Sequence, residues 1–317
     1  MEILKTEQYI NEKLTIQPVT KDRLSDYKKP SVDEDTIQFI KDYNLIWNPL
    51  SKCYDCEGDI EIFEDIVTGG KLKIKFGNIG GDFNCSYSKL TTLEGAPKKV
   101  GGDFECKYNK LTSLEGVPKV VGGNFYCSDN ELTTLKGAPN VVGKSFSCSH
   151  NKLTTLEGAP NEVGWFFDCS KNELTTLEGA PQKVGWSFNC NYNKLTTLEG
   201  APNEVRENFD CSHNNLTSLE CAPKEVGGDF DCSFNKLTSL EGAPKEVNGR
   251  FSCNSNKLTS LEGAPQEVGC DFSCSFNELT TLEGAPKKVG GAFYCNGNQN
   301  LVLPKEKPSW VKKNIIS

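Results

Sequence analysis

From position 79 onward the chain repeats one pattern of apolar and polar positions every 21 residues. In the copy Val226-Gly-Gly-Asp-Phe-Asp-Cys-Ser-Phe-Asn-Lys-Leu-Thr-Ser-Leu-Glu-Gly-Ala-Pro244 the recurring apolar positions are Val, Phe, Cys, two Leu and Ala-Pro. Eleven cysteines, Cys85 to Cys295, fall at this interval, each with a Phe two residues earlier, and no insertion breaks the register. Phe-x-Cys has the period of a strand, so Phe and Cys share the inward face and the intervening residue points out. One strand per repeat is expected. Gly-Gly before it and Glu-Gly-Ala-Pro after it deny the remainder a regular helix, because Pro lacks a donor and Gly destabilises helix. The return limb should be extended or turn-like. Strands ~4.8 Å apart place eleven of them in a parallel sheet on the order of 50 Å long. The expected architecture is a mainly β repeat solenoid with one parallel sheet on the concave side, an extended or turn-like convex side and a small helical N-terminal cap.

An Asn follows each strand, from Asn109 to Asn298, where the chain turns inward and leaves backbone groups without partners; a buried Asn ladder can satisfy them. The first copy has Ser88 instead. A stack must also hide its terminal apolar faces. One period before the first copy, Ile62 falls under Phe83, Leu72 under Leu93 and Phe76 under Pro97, so 60–78 reads as a degenerate capping coil. Ahead of it, Ser31-Val-Asp-Glu-Asp offers N-caps and first-turn acids for a helix carrying Ile37, Ile40 and Tyr43 on one face and ending near Leu45 to Trp47. At the other end Leu301, Leu303, Trp310, Val311, Ile315 and Ile316 supply a closing apolar group. Residues 1–30 read as a flexible leader or tail in which 6–14 can form an amphipathic helix and 17–24 an extended stretch. The organisation is then 1–30 leader, 31–78 N-terminal cap, 79–303 eleven repeats and 304–317 C-terminal cap.

Phe-x-Cys-x-x-Asn-x-Leu-Thr-x-Leu-x-x-x-Pro resembles the leucine-rich repeat, with Phe and Cys in two leucine positions and one additional residue at the Gly-Gly step. It is similar to the short repeats of bacterial effector proteins. It also resembles 21-residue repeat proteins of tailed phages, which carry the same Gly-Gly-Asp-Phe-x-Cys and Leu-Thr-x-Leu-Glu-Gly-Ala-Pro wording. The resemblance covers 79–303 and implies a leucine-rich-repeat stack that binds protein and is phage or mobile-element encoded. The leader is similar to those of several tailed-phage proteins, and Ile10-Asn11-Glu12 matches the apolar-x-Glu pattern cut by prohead proteases. That likeness implies the alternative of a virion-associated or capsid-packaged protein starting, once cut, at Lys13.

Composition narrows the chemistry. With 43 acidic and 35 basic residues the chain lacks a basic, phosphate-tracking balance, so nucleic acid is not expected as a partner. No stretch approaches the roughly 18 apolar residues of a membrane span, and 1–14 carries charges where a secretion signal needs an apolar segment. Thiols in a line cannot surround zinc tetrahedrally; the cysteine column reads as buried free thiols, which places the protein in a reducing, cytoplasmic compartment. Cys53-Tyr-Asp-Cys56 has redox or half-zinc spacing without a second ligand pair nearby, while Cys221 and Cys270 replace repeat glycines and should be exposed. His150 and His213 lie three coils apart in one column, on the order of 14 Å, too far to share a metal or a proton relay. The Glu column, Glu94 to Glu283, reads as a solvated charge ladder balanced by neighbouring lysines, and the Thr column, Thr91 to Thr280, lacks the paired outward spacing of an ice-binding face. Neither an enzyme nor a cofactor or metal is expected.

A partner must then be read by positions that vary while the frame repeats. The residue before Phe includes Phe166; the one between Phe and Cys includes Asp168, Asp210 and Asp231; two after Cys come Tyr192, His213 and Phe234 among others. Trp165 and Trp186 replace the second glycine of Gly-Gly, and Arg206 replaces a first one. Clustered Trp, Tyr and Arg are the composition of an interface centre. These ten residues are the expected partner-binding surface, and their acids predict a basic or mixed-charge protein partner.

Overall fold

The computed structural model describes residues 29–303, 305, 308–310 and 315–316. The expected leader elements at 6–14 and 17–24, the Ile10-Asn11-Glu12 pattern and Val311 lie outside the described residues. The chain forms stacked β-coils in two compact units, Met1–Lys152 with Glu157–Gly164, and Leu153–Leu156 with Trp165–Ser317. No helix among the described residues is long and apolar enough to cross a membrane.

The first unit opens with helix α1, Glu34–Asp42. Asp33 caps it, its carboxylate accepting the Thr36 N–H at 2.9 Å, with Glu34 and Asp35 at the positive end of the helix dipole and Lys41 at the negative end. The buried face is Thr36, Phe39 and Ile40, spaced i, i+3, i+4. The expected face thus needs correction: Ile37 points to solvent, and the helix stops at Asp42, where Asn44 turns the chain with φ 50°. Strand β1 (Ile46–Asn48) then pairs antiparallel with β2 (Cys53–Cys56). Phe39 meets Phe76 edge to face at 6.3 Å, which seats α1 on the first coil.

That coil contains β3 (Ile60–Glu61), the short hairpin β4 (Val67–Thr68) and β5 (Lys71–Leu72), and β6 (Phe76–Ile79). Its register differs from the expectation. Ile60, not Ile62, pairs opposite Phe83, whereas Ile79 lies one full period before Val100. The 3-10 turn Glu64–Ile66 and the β4–β5 hairpin lie between β3 and β6 and take up the two additional residues.

Each repeat adds two short strands, where one was expected. One ladder continues β3 through Phe83–Asn84, Phe104–Glu105, Phe125–Tyr126 and Phe146–Ser147; the other continues β6 through Lys99–Val100, Val120–Val121, Val141–Val142 and Glu162–Val163. The Gly-Gly step separates them, and packing explains both glycines. A Cβ on Gly122 would lie 2.1 Å from the Gly101 carbonyl oxygen one coil earlier. A Cβ on Gly102 would lie 2.0 Å from Oδ1 of Asp82, which accepts the Asp103 N–H at 2.7 Å. An outward Asp that bridges to the next coil therefore demands a glycine there.

Inside, Phe rings stack at about ring-contact distance, for example Phe104 on Phe125 at 5.3 Å. The Asn ladder works as its column suggests. Asn130 Nδ2 donates to the carbonyls of Cys106, Cys127 and Ser128, and Oδ1 accepts the Leu111 N–H at 3.0 Å, so each side chain ties its own coil to the preceding one. Ser88, at the first copy, donates instead to the Ile62 carbonyl at 3.0 Å.

The second unit repeats this plan. Its Phe ladder runs from Phe167–Asp168 to Phe293–Tyr294, and its Val ladder includes Glu204–Val205, Glu225–Val226, Glu246–Val247, Glu267–Val268 and Lys288–Val289. The closing coil caps it: Trp310 stands edge-on to Phe293 at 5.2 Å, and Ile315–Ile316 pairs parallel with Phe293–Tyr294.

Candidate functional site

All ten expected partner-binding residues belong to the second unit, and its strands set their order. After Cys the chain must swing inward to place Asn, and the residue between adopts a left-handed backbone: φ is 50° at Tyr192, 53° at His213 and 54° at Phe234. For an L residue this costs on the order of 1 kcal/mol. A hydrogen bond to the next coil holds each one, His213 N–H to the Ser233 carbonyl at 2.9 Å and Phe234 N–H to that of Asn254 at 2.9 Å. The side chains are left outside the coil and stack like plates. Tyr192 and His213 lie 4.0 Å apart at 9°, His213 and Phe234 4.2 Å apart at 9°, and Tyr192 and Phe234 remain about half exposed. Lys171, from the preceding coil, extends the row with Nζ 5.8 Å from the Tyr192 ring centre, a cation over an aromatic face. The sequence displays this column but not its stacking, which follows from the shared left-handed turn.

The acids lie beside it on the strands. Asp168 pairs in register with Asn189, Asn189 with Asp210, and Asp210 with Asp231. Each Asp uses one oxygen locally, accepting the N–H of Ser170, Ser212 or Ser233, and Asp210 also accepts from Asn191 Nδ2 at 2.7 Å. Burial pushes the Asp231 carboxyl above its ordinary pKa and the Asp210 charge adds to this, against the Ser233 hydrogen bonds and the nearby His213. Tyr192, His213, Phe234, Asp210 and Asp231 thus form one patch.

Trp165 and Trp186 occupy the other end of the strands. They meet edge to face at 5.7 Å and stay 45% and 48% exposed, so their mutual packing does not withdraw them from solvent. Phe166 is half-buried and Arg206 exposed; Glu207, the residue after Arg206, donates its N–H to the Trp186 carbonyl at 3.1 Å. The Asp–Gly coupling accounts for why the second-glycine positions, those of Trp165, Trp186 and Glu207, are free to vary; Arg206 stands at a first glycine, which the coupling does not govern. Gly249 follows Asp229 by one coil and Gly291 follows Asp271, whereas Trp186 follows Phe166, Glu207 follows Ser187 and Cys270 follows Arg250. Every bridging Asp is followed by a glycine in the next coil, as is the bridging Asn208 by Gly228, whereas a side chain replaces the glycine after Ser145, Phe166, Ser187 and Arg250.

The thiols sort as their positions suggest. The ladder cysteines are buried, and burial pushes their ionisation upward, as at Cys190, Cys211 and Cys232. Cys232 Sγ donates to the Ser252 carbonyl of the next coil at 3.3 Å. Cys53 and Cys56 are also buried, and their Sγ atoms donate to different carbonyls, Ser51 and Tyr43. Three residues apart on a strand, they face opposite sides. Cys221, at φ 65° in a glycine column, and Cys270 are exposed.

No family model and no curated protein sequence matches the chain. Among solved structures it is similar to YopM from Yersinia enterocolitica WA-314, with a TM-score of 0.61 and 21% identity over 83% of this chain and 58% of that one, so the chain spans less than two thirds of that protein. YopM from Yersinia pestis, described as a leucine-rich effector protein, aligns at a TM-score of 0.42 and 15% identity over 82% of this chain and 88% of its own. The leucine-rich repeat domain of APL1B aligns at 0.41 and 14% over 91% and 100%. The likeness to the first of these, together with the Phe and Asn ladders, establishes that the fold is a leucine-rich-repeat solenoid.

Proposed function

We propose that the chain is a non-catalytic protein-binding solenoid whose partner docks across the strand face of the second unit. The observation that carries this reading is the exposed stack Tyr192–His213–Phe234 bordered by Asp210 and Asp231. Flat rings already held in register lose little freedom on binding, and a row of acids beside them selects a basic or mixed-charge surface. Trp165, Phe166 and Trp186 give a second anchor at the other end of the strands, with Asp168 and Arg206 on either side. The buried, un-ionised thiols fit work in a reducing cytosol, and the repeat wording fits a phage or mobile-element protein acting on a host or phage protein there.

The test is affinity capture from the host with the wild-type chain and with Trp165→Ser/Phe166→Ser/Trp186→Ser, and separately with Tyr192→Ser/His213→Ser/Phe234→Ser. Both variants should retain the wild-type circular dichroism and lose at least about tenfold in capture of the same salt-sensitive partner, as central aromatic anchors do. Undiminished capture by both folded variants would refute the face. Mass spectrometry of the mature N-terminus separates the packaged alternative: a chain beginning at Lys13 supports it, and an intact Met1 removes it.

A further inference from the structure

The first unit holds a second feature that the strand face does not use. Lys71, Lys73 and Lys75 alternate with Leu72, Ile74 and Phe76. The three lysines rim a cavity of about 800 Å³ together with Lys52, Trp47 and Tyr54. Next to the cavity, though not lining it, Lys29 holds its Nζ 5.4 Å from the Tyr54 ring centre. Glu94 pairs with Lys71 at 3.0 Å and Asp33 with Lys73 at 2.7 Å. In a chain of net charge −8 this is a concentrated positive site.

Two residues that line the cavity carry buried donors with no acceptor among the described residues. Tyr54 is fully buried, yet its hydroxyl has no hydrogen-bond partner among the described residues, and the same holds for Trp47 Nε1. Buried polar atoms are nearly always paired, so two orphans on one wall point to a group that completes them. An indole N–H can only donate, and burial holds the Tyr54 phenol protonated, so what is missing is an acceptor. The lysines call for that acceptor to be anionic. The volume is that of a small-molecule site, and the Trp47 ring with Leu72 and Ile74 gives it an apolar side.

We propose that this cavity binds a small organic anion, an oxyanion on a flat apolar body, with its oxygens accepting from Trp47 Nε1–H and the Tyr54 hydroxyl and its charge met by the lysines. The site is independent of the partner face and stands or falls separately from it.

The test uses the full ¹⁵N-labelled chain, following the Trp47 indole N–H resonance, assigned with Trp47→Phe, during titration with phenyl phosphate and with benzoate. The expected result is a saturable downfield shift of that resonance at roughly millimolar ligand or below, with the Trp165 and Trp186 resonances unmoved. Whichever probe binds more tightly identifies the oxyanion as phosphate or carboxylate. Tyr54→Phe should melt no lower than wild type, because it removes an unpaired hydroxyl, and should bind about fivefold more weakly, the weight of one hydrogen bond. If that variant fails to fold, Lys71→Gln/Lys75→Gln serves instead and should also weaken binding about fivefold. No shift with either probe overturns the proposal, as does a shift reproduced by uncharged benzyl alcohol and unaltered in the variants. Inorganic phosphate binding as tightly as phenyl phosphate would overturn the requirement for an apolar body.

Discussion

His213 and Asn214 are neighbours in the chain and belong to opposite regimes. Asn214 faces inward: its Nδ2 donates to the carbonyls of Cys190, Cys211 and Ser212, and its Oδ1 accepts the Leu195 N–H. Every full copy of the repeat after the first has Asn there. His213 faces outward, and its column also holds Tyr, Asp, Lys, Phe, Ser and Gly. The same turn makes both. The inward residue must match four fixed backbone groups in number and direction, whereas the outward one needs only to tolerate a left-handed φ. Regularity in this molecule measures how many backbone partners a side chain must satisfy, and variation marks where that demand is absent.

Alkaline titration should show the inward regime at its strongest. Ten ladder thiols have ionisation pushed upward in the folded state, chiefly by burial. Their stabilising contribution is fully present below the unfolded thiol pKa of about 8.5 and is lost as pH rises toward the folded value, because only the unfolded chain can release those protons. Each contributes about 1.4 kcal/mol per pH unit in that window, so the sum by pH 9.5 is on the order of 10 kcal/mol. Urea midpoints at pH 7.5, 8.5 and 9.5 should already fall across the first interval, where the unfolded thiols become half-ionised and the ten together cost on the order of 3 kcal/mol, and fall about threefold more across the second; a level midpoint throughout would contradict the burial of the ladder. Asn214→Ala comes next, at roughly 3–5 kcal/mol, since it strands buried backbone groups in two coils. His213→Ala, one residue away, should cost under about 1 kcal/mol in the same melts, and equal losses for the two would erase the distinction. Ser255→Gly is the smallest. At φ 53°, relief of the left-handed strain and the greater freedom of the unfolded chain nearly cancel, leaving a change within about 1 kcal/mol, whereas Ser255→Ile should be clearly destabilising.

What the sequence displayed and what it hid divide along the same line. The Phe, Cys, Asn and Leu columns are legible because each reports a repeated burial or hydrogen-bond demand, and the coil follows from them. The second ladder at Val100 and its successors was hidden because two glycines interrupt the alternation that signals a strand. The two-residue register change at Ile60 was hidden because a capping coil has no second copy to compare against. At the site, the members of the aromatic column were visible, but its plate-like stacking depends on a shared φ that no residue type announces. The lysine-rimmed cavity depends on Trp47 and Tyr54 being brought beside Lys71 to Lys75 by an antiparallel strand pair, a contact that repeat periodicity does not encode.

The thiol ladder also bears on how long the molecule lasts. While the coils are closed, its sulfurs are protonated and out of reach of an oxidant or alkylating agent, and reactivity is confined to Cys221 and Cys270. A coil that opens exposes a run of thiols at fixed spacing, and any one of them that is captured before reclosure carries a group too bulky for the space it left. Opening then becomes a one-way event. In an oxidising medium that captures an opened thiol faster than the coil recloses, the lifetime of the protein would be set by the rate at which its coils open and not by the equilibrium between closed and open forms.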